Sequence, residues 1–253
     1  MTRPSKARVR QSFERAAPTY DSAASVQRNI CDRLAAALPA ITPRRLLDAG
    51  CGTGYALPGL LERFPQAKAL ALDLSPGMLE RVTLPAGKLV GDLEHLPLRD
   101  ACLDLYWSSL AVQWCDLGAV LHEARRTLAP GAHLALATLG PGTFHELRHA
   151  FSGIDTHRHT LVFHTAGEIS ELAKQAGFSA VDVASHAEIA HYADLKSLLR
   201  AVKDVGANQI GDGRRTSLMS RNTLARVETA YEALRTATGL PLTYDVITLH
   251  AQP

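Results

Sequence analysis

From Arg44 onward, short runs of Leu, Val and Ala alternate with longer stretches whose apolar residues recur at helical spacing. The runs RRLLDAG, AKALALDLS, KLVGD, LDLYWSSL and HLALATL carry few internal polar positions, as expected of strands buried on both faces. Between them the pattern predicts helices up to about Phe64, from Pro76, and near Leu117 to Leu128. Strands and amphipathic helices in this alternation predict an α/β, Rossmann-like, doubly wound and mostly parallel sheet. Two later runs, Ala180 to Ala190 and Tyr244 to Gln252, read as strands at the far edge, giving about seven strands with the last antiparallel. A long helical insertion from about Ala193 to Thr238 separates them.

Local punctuation agrees with these boundaries. Ser75-Pro76 offers an N-cap followed by proline at the first helical position, and Pro130-Gly131 is expected to end the preceding helix. Thr165 and Glu168 have the spacing of a capping box, and the helix they open should stop at Gly177.

Composition narrows the class only slightly. The 253 residues, 46% hydrophobic and 21% charged, fit a globular protein, and no apolar run approaches the roughly 20 residues that span a bilayer. Cytoplasmic residence and no membrane partner are therefore expected. Cys31, Cys51, Cys102 and Cys115 lie far apart, so neither a zinc knuckle nor a disulfide framework is suggested. A net charge of +2 gives no case for nucleic acid, although residues 1–45 carry nine Lys or Arg against three acids.

The candidate chemistry lies in LLDAGCGTGYALPG. Gly50, Gly52 and Gly54 follow a strand and precede a helix, where backbone can turn sharply and approach a ligand. A dinucleotide fingerprint would place its third glycine where Tyr55 stands, and Asp48 occupies a position that is usually apolar. A carboxylate there repels a pyrophosphate but suits a ligand bearing an ammonium and a sulfonium, such as S-adenosylmethionine. Asp73, closing the second strand, is positioned to accept the ribose hydroxyls, and Asp92, closing the third, the adenine amino group. Three acids at successive strand ends converge on the crevice where open α/β sheets bind ligands.

LLDAGCGTG, LALDLS, GDLEHLPL and RTLAPGAHLALATLG together resemble motifs I, post-I, II and III of the class I S-adenosylmethionine-dependent methyltransferases. Within that superfamily FERAAPTYDSAASVQR, SSLAVQWC, TLGPGTFHELRHAF, YADLKSLLRAVKDVGAN and PLTYDVI resemble the malonyl-[acyl-carrier protein] O-methyltransferase family of biotin synthesis over essentially the whole chain. The resemblance implies methylation of the free carboxylate of a malonyl thioester, on a carrier protein or coenzyme A, with S-adenosyl-L-homocysteine as product. It implies that Asp48, Ala49, Gly50, Cys51, Gly52 and Gly54 hold the methionine moiety, Asp73 and Leu74 the ribose, and Met78, Asp92 and Leu93 the adenine. Tyr20 and Gln27 would belong to an N-terminal lid, while Ser108 and Trp114 would line the pocket around the methyl, with Tyr20 and Trp114 as positioning residues and no general base. The expected organisation is one domain over 1–253: lid 1–43, cofactor-binding core 44–139, and substrate-side insertions 140–178 and 191–242. A monomer is expected.

Several features remain open. His145, Glu146 and His149 spell H-E-x-x-H, the pattern of a zinc hydrolase, but Thr143 and Glu146 also have the spacing of a capping box, and no metal is expected. His157, His159 and His164 form a loose cluster, read either as a packed loop or as a substrate contact. Arg148 is the candidate partner of the malonyl carboxylate. Lys196, Arg200 and Lys203 share one helix face and, with Arg214, Arg215 and Arg221, are either solvated or a dock for an acidic carrier protein. The alternatives are a methyltransferase acting on another small carboxylic acid or small molecule, and a module that binds the cofactor without turnover.

Overall fold

The computed structural model describes residues 3–205 and 219–253. Three helices come first: α1 (Lys6–Ala16), α2 (Tyr20–Ala23) and α3 (Ser25–Ala36). The alternating segment follows as β1 (Arg45–Ala49), α4 (Ala56–Arg63), β2 (Lys68–Asp73), α5 (Pro76–Glu80), β3 (Gly87–Val90) and β4 (Leu103–Ser109). A single 3-10 turn at Val112–Trp114 leads to α6 (Leu117–Thr127) and β5 (Leu128–Leu139). Next come α7 (His145–Phe151), α8 (Ala166–Gln175), β6 (Ser179–Tyr192), α9 (Leu195–Asp204), α10 (Arg221–Glu232) and β7 (Leu240–Gln252).

The seven strands form one sheet in the order β3-β2-β1-β4-β5-β7-β6. Neighbours from β3 to β5 are parallel, and β7 runs antiparallel to both β5 and β6. Strand alternation sends successive residues to opposite faces. On β1 and β4, Leu46, Leu105 and Trp107 join one buried cluster with Ile30 and Leu34 of α3 and Leu57 and Leu60 of α4. Leu47 and Tyr106 join the other with Val120 and Leu121 of α6 and Ile169 of α8. This two-sided burial explains why the strands are continuously apolar. Among the described residues no helix is long and apolar enough to cross a membrane.

The N-cap at Ser75 accepts from the Met78 N–H with Pro76 behind it, and Thr165 with Glu168 closes a reciprocal capping box. Gly177, at φ +90°, follows the end of α8. One expectation differs. Pro130-Gly131 does not stop a helix, because α6 already ends at Thr127 and β5 begins at Leu128. The pair sits in a register shift between the β5 residues opposite Leu103 and Leu105, where a proline without an N–H breaks no ladder. The insertion between β6 and β7 is helical over most of its described residues, as α9 up to Asp204 and α10 from Arg221.

His133 on β5 and His250 on β7 meet in the sheet with Nε2 and Nδ1 3.2 Å apart. Burial, with the neighbouring His250, pushes His133 down to about 4. The unfolded chain therefore takes up a proton near pH 6.5 that the folded form refuses until about pH 4, so this contribution to stability is present above pH 6.5 and lost as pH falls. Between those values urea unfolding should show a loss of about 1 to 2 kcal/mol after solvent screening, and His133→Asn should flatten the profile. An unaltered profile in that variant would refute the assignment.

Candidate active site

The cleft opens at the carboxyl ends of β1, β2 and β4, where Gly50 and Gly52 turn the chain with φ of +74° and +54°. Side chains are barely tolerated at the first of these: a Cβ on Gly50 would lie 2.2 Å from Ala111 Cβ. Asp48, 2% exposed near the end of β1, faces the cleft with Oδ2 unpartnered among the described residues. Burial, and then the charge of Asp73, raise its carboxyl to about 7. Asp73 is also pushed upward by burial, against the pull of backbone N–H donors from Gly52 at 2.9 Å and Ser75 at 2.8 Å.

Two more polar atoms in the cleft wall are buried without a partner among the described residues: the indole Nε1 of Trp107 and that of Trp114. Buried polar groups are paired in more than about 90% of cases, so one acceptor and two donors left over around one cleft fit a bound polar ligand. The unpartnered carboxylate suits an ammonium group, and the positive-φ loop leaves backbone open to close approach. These residues fit S-adenosylmethionine.

Helices α1 to α3 cover this cleft. Phe13, Tyr20 and Gln27 line it, and Lys6 Nζ reaches across to Asp92 Oδ1 at 2.7 Å and Glu94 Oε1 at 2.6 Å. Although burial pulls the other way, the hydrogen bond from Lys6 holds the Asp92 carboxyl below its ordinary value. An inner chamber adjoins the cleft, and the two share Phe13, Tyr20, Gln27, Leu110 and Trp114. Phe13 meets Trp114 edge to face at 5.8 Å. Tyr244 of β7 walls the inner chamber and hydrogen-bonds Tyr192 and Gln27 through side chains. An outer groove runs from the chamber past α7 to the surface, sharing His159, Thr160, Leu161 and Phe163 with it.

Of the residues expected to bind cofactor, Tyr20, Gln27, Asp48, Gly50, Cys51, Gly52, Asp73, Leu74, Met78, Asp92 and Leu93 line the cleft, as does Trp114. Ala49, Gly54 and Ser108 do not. Ser108 is fully buried and donates to the Ala49 carbonyl at 2.7 Å, locking β4 to β1, while Ser109 and Leu110 reach the cleft. Gly54 faces Val82 and Leu57. Arg148 lies in the outer groove, not in the inner chamber; its guanidinium donates to the Pro141 carbonyl at 2.7 Å and to that of Thr143. An arginine committed to two carbonyls is poorly placed to receive an acceptor carboxylate.

Among the described residues His145 and His149 belong to no group of three metal-type ligands. Among the described residues the one grouping of metal-type ligands is Asp92, Glu94 and His95, into which Lys6 already projects. The expected cap by Glu146 is also absent: Phe144 is the N-cap of α7, in a left-handed conformation, with no side-chain cap. Glu146 is instead buried and accepts from the Thr243 N–H at 3.1 Å and from its hydroxyl, tying α7 to β7. Lys196, Arg200 and Lys203 are exposed on α9, and Arg221 is exposed at the start of α10. Arg214 and Arg215 lie outside the described residues. Lys6, Arg28, Tyr55, Trp107 and Tyr244 were not singled out, because nothing in local spacing separates such residues from ordinary helix or strand positions.

A glycine turn between strand and helix, acids at the strand ends and a covered cleft define an S-adenosylmethionine-dependent methyltransferase. Residues 47–136 match the family described as a methyltransferase domain. The whole chain is 67% identical over 251 residues to the malonyl-[acyl-carrier protein] O-methyltransferase of Dechloromonas aromatica (strain RCB), covering 99% of this chain and 96% of that relative. It is 42% identical to the corresponding protein of Laribacter hongkongensis (strain HLHK9), covering 97% and 89%. The chain belongs to the malonyl-[acyl-carrier protein] O-methyltransferase family. In fold it is similar to the Haemonchus contortus phosphoethanolamine N-methyltransferase 2 solved in complex with S-adenosyl-L-methionine. That match has a TM-score of 0.58 and 17% identity, over 94% of this chain and 57% of that one.

Proposed function

We propose that this enzyme methylates the free carboxylate of a malonyl thioester, an early step in making the pimeloyl moiety of biotin, and releases S-adenosyl-L-homocysteine. The observation that carries the reading is the pair of adjoining chambers with five residues in common. One chamber suits the cofactor and the other a small acceptor, with Phe13, Tyr20, Gln27, Leu110 and Trp114 at their meeting point.

S-adenosylmethionine supplies a methyl group made electrophilic by its sulfonium. The chain itself has little proton chemistry to perform, because a carboxylate with a pKa of about 4 is ionised at neutral pH. Burial, with Asp73 and Asp21, pushes the Tyr20 phenol far above its ordinary value, so it stays a neutral hydroxyl. The aromatic wall of Phe13, Tyr20 and Trp114 excludes water and favours positive charge at the junction. Catalysis is then mainly positioning, worth up to about 7 to 11 kcal/mol in well-oriented systems.

Trp114 supplies an unpartnered Nε1–H to hold the acceptor carboxylate in place. Trp114→Phe keeps an aromatic ring against Phe13 but removes that donor; kcat/KM for the malonyl thioester should fall about 10- to 100-fold with cofactor affinity unchanged. Parallel loss of cofactor binding would instead assign the ring to packing.

The acidic carrier protein docks on the exposed basic face of α9, in this reading, because the C-terminal end of that helix leads into Val205, which lines the inner chamber. Reversing charge at Lys196, Arg200 and Lys203 should slow turnover of carrier-bound substrate about tenfold at low salt while sparing a malonyl-CoA substrate. Equal rates with both substrates would remove the dock from α9. Four unpaired cysteines suit the reducing cytoplasm, where we place the reaction.

The deciding experiment incubates the protein with methyl-labelled S-adenosylmethionine and malonyl-carrier protein beside acetyl- and succinyl-carrier proteins. Label should enter the malonyl carrier as a base-labile ester. Labelling of the succinyl carrier in preference would favour a methyltransferase for another small acid, and cofactor binding without any labelling would leave a binding module.

A further inference from the structure

His159 stands at the neck where the inner chamber opens into the outer groove, and it lines both. Its imidazole stacks on Phe151 of α7 with centroids 3.6 Å apart and planes at 17°. Nε2 lies 2.9 Å from Asp155 Oδ1, with the two side chains 16% and 10% exposed. The ring is thus fixed by a stack and a hydrogen bond to Asp155, although it sits in a loop that joins α7 to α8. Nδ1 makes no hydrogen bond among the described residues. Among the described residues no lysine or arginine lines the inner chamber, and His159 is the one histidine that does. Methyl transfer to an ionised carboxylate needs no base, which leaves this ordered pair without a part in the chemistry proposed above.

Resting on that reading, the geometry points to His159 as the residue that binds the thioester carbonyl of the acceptor, oriented by Asp155. The order of the chambers fixes the direction in which an acceptor lies. Its carboxylate must reach the junction at Tyr20 and Trp114, so the thioester follows behind it toward the neck and the remaining arm leaves through the outer groove. A malonyl group has a single methylene between carboxylate and thioester, short enough for both ends to be held within one small chamber. With Nε2 taken by Asp155, Nδ1 is the ring atom left to meet the carbonyl oxygen, as a donor in a site largely closed to water. Asp155, held below its ordinary carboxyl range by the hydrogen bond from His159 despite the opposing effect of burial, remains an anion that orients the ring. The pair then selects acceptors by the spacing between carboxylate and carbonyl, which free fatty acids and simple acyl thioesters do not present.

The test pairs two variants with two acceptors. His159→Phe retains a ring to stack on Phe151 but removes the donor, and Asp155→Asn loosens its orientation. The acceptors are malonyl-carrier protein and its thioether analogue, in which a methylene replaces the thioester carbonyl. We expect His159→Phe to raise KM for the malonyl thioester about 10- to 100-fold, with kcat changed less and S-adenosylmethionine affinity unchanged. Asp155→Asn should raise it in the same direction. On the thioether, wild type and both variants should perform alike, and His159→Gln, which restores a donor, should recover part of the thioester KM. An equal penalty on both acceptors, or no penalty in either variant, overturns the proposal. Failure of the wild type to methylate any malonyl thioester would refute the functional reading itself, a separate result.

Discussion

Asp48→Asn should weaken S-adenosylmethionine binding at least 30-fold at pH 8 and, at the same time, raise the melting temperature of the free protein. Both effects have one cause. The carboxyl is 2% exposed, lacks a partner for Oδ2 among the described residues, and is pushed to about 7 by burial and by Asp73. A group whose folded value lies above its unfolded value stabilises the fold below the unfolded value, and that contribution is lost as pH rises through the folded one. At pH 8 the free protein therefore carries a buried, uncompensated charge, and an uncharged amide relieves on the order of 3 kcal/mol of that cost. The ligand's ammonium is what the charge awaits, so the amide forfeits about 2 to 5 kcal/mol of binding, or 30- to several-thousand-fold in affinity. Below pH 7 the wild type must release a proton to bind, and its dissociation constant should rise up to about tenfold per pH unit. Calorimetry in buffers of different ionisation enthalpy measures the released proton directly. Wild-type affinity that is level from pH 5.5 to 8 would show that Asp48 does not meet the ammonium.

Gly50→Ala should lower the melting temperature by about 10 °C and abolish methyl transfer. The new methyl would lie 2.2 Å from Ala111 Cβ at a φ of +74°. Left-handed backbone costs an alanine roughly 1 to 2 kcal/mol and overpacking roughly 1 to 3 more. In a chain of this size each kcal/mol is worth about 2 to 4 °C. The backbone must shift to relieve the contact, which moves the loop that meets the ligand. Gly52→Ala is the internal control: its φ is +54° but no atom lies within 4 Å of the added methyl, so only the conformational cost applies. Equal melting temperatures for the two variants would mean that strain, not the Ala111 contact, governs the loop.

Much of the fold could be read in advance because its governing signal is local. A strand buried on both faces must be apolar throughout, and Leu46, Leu47, Leu105 and Tyr106 obey that rule whatever lies around them. The cofactor cleft was equally legible, since a glycine turn after a strand brings Asp48, Asp73 and Asp92 to one edge by topology alone. The position of β7 between β5 and β6 was not, because no property of residues 240–252 says which strands they will pair with. Pro130 and Glu146 misled for a related reason. Each carries a strong local signature, a helix stop and a cap, but a β-bulge and the Thr243 hydroxyl claim them through contacts distant in sequence. Acceptor residues were hardest to find. Arg148 has the charge but spends it on carbonyls, whereas His159 gains its place from Phe151 and Asp155, a combination that a histidine-rich loop does not advertise.

The central location of β7 bears on how the molecule is made. On the ribosome, β1 to β5 can zip together while synthesis continues, but β6, whose one strand partner among the described residues is β7, gains its ladder when residues 240–252 have emerged. The nascent protein thus passes through a stage in which the cofactor half is assembled and the Tyr244 wall of the acceptor half is missing. Emergence of residues 240–252 is the event that completes this chamber.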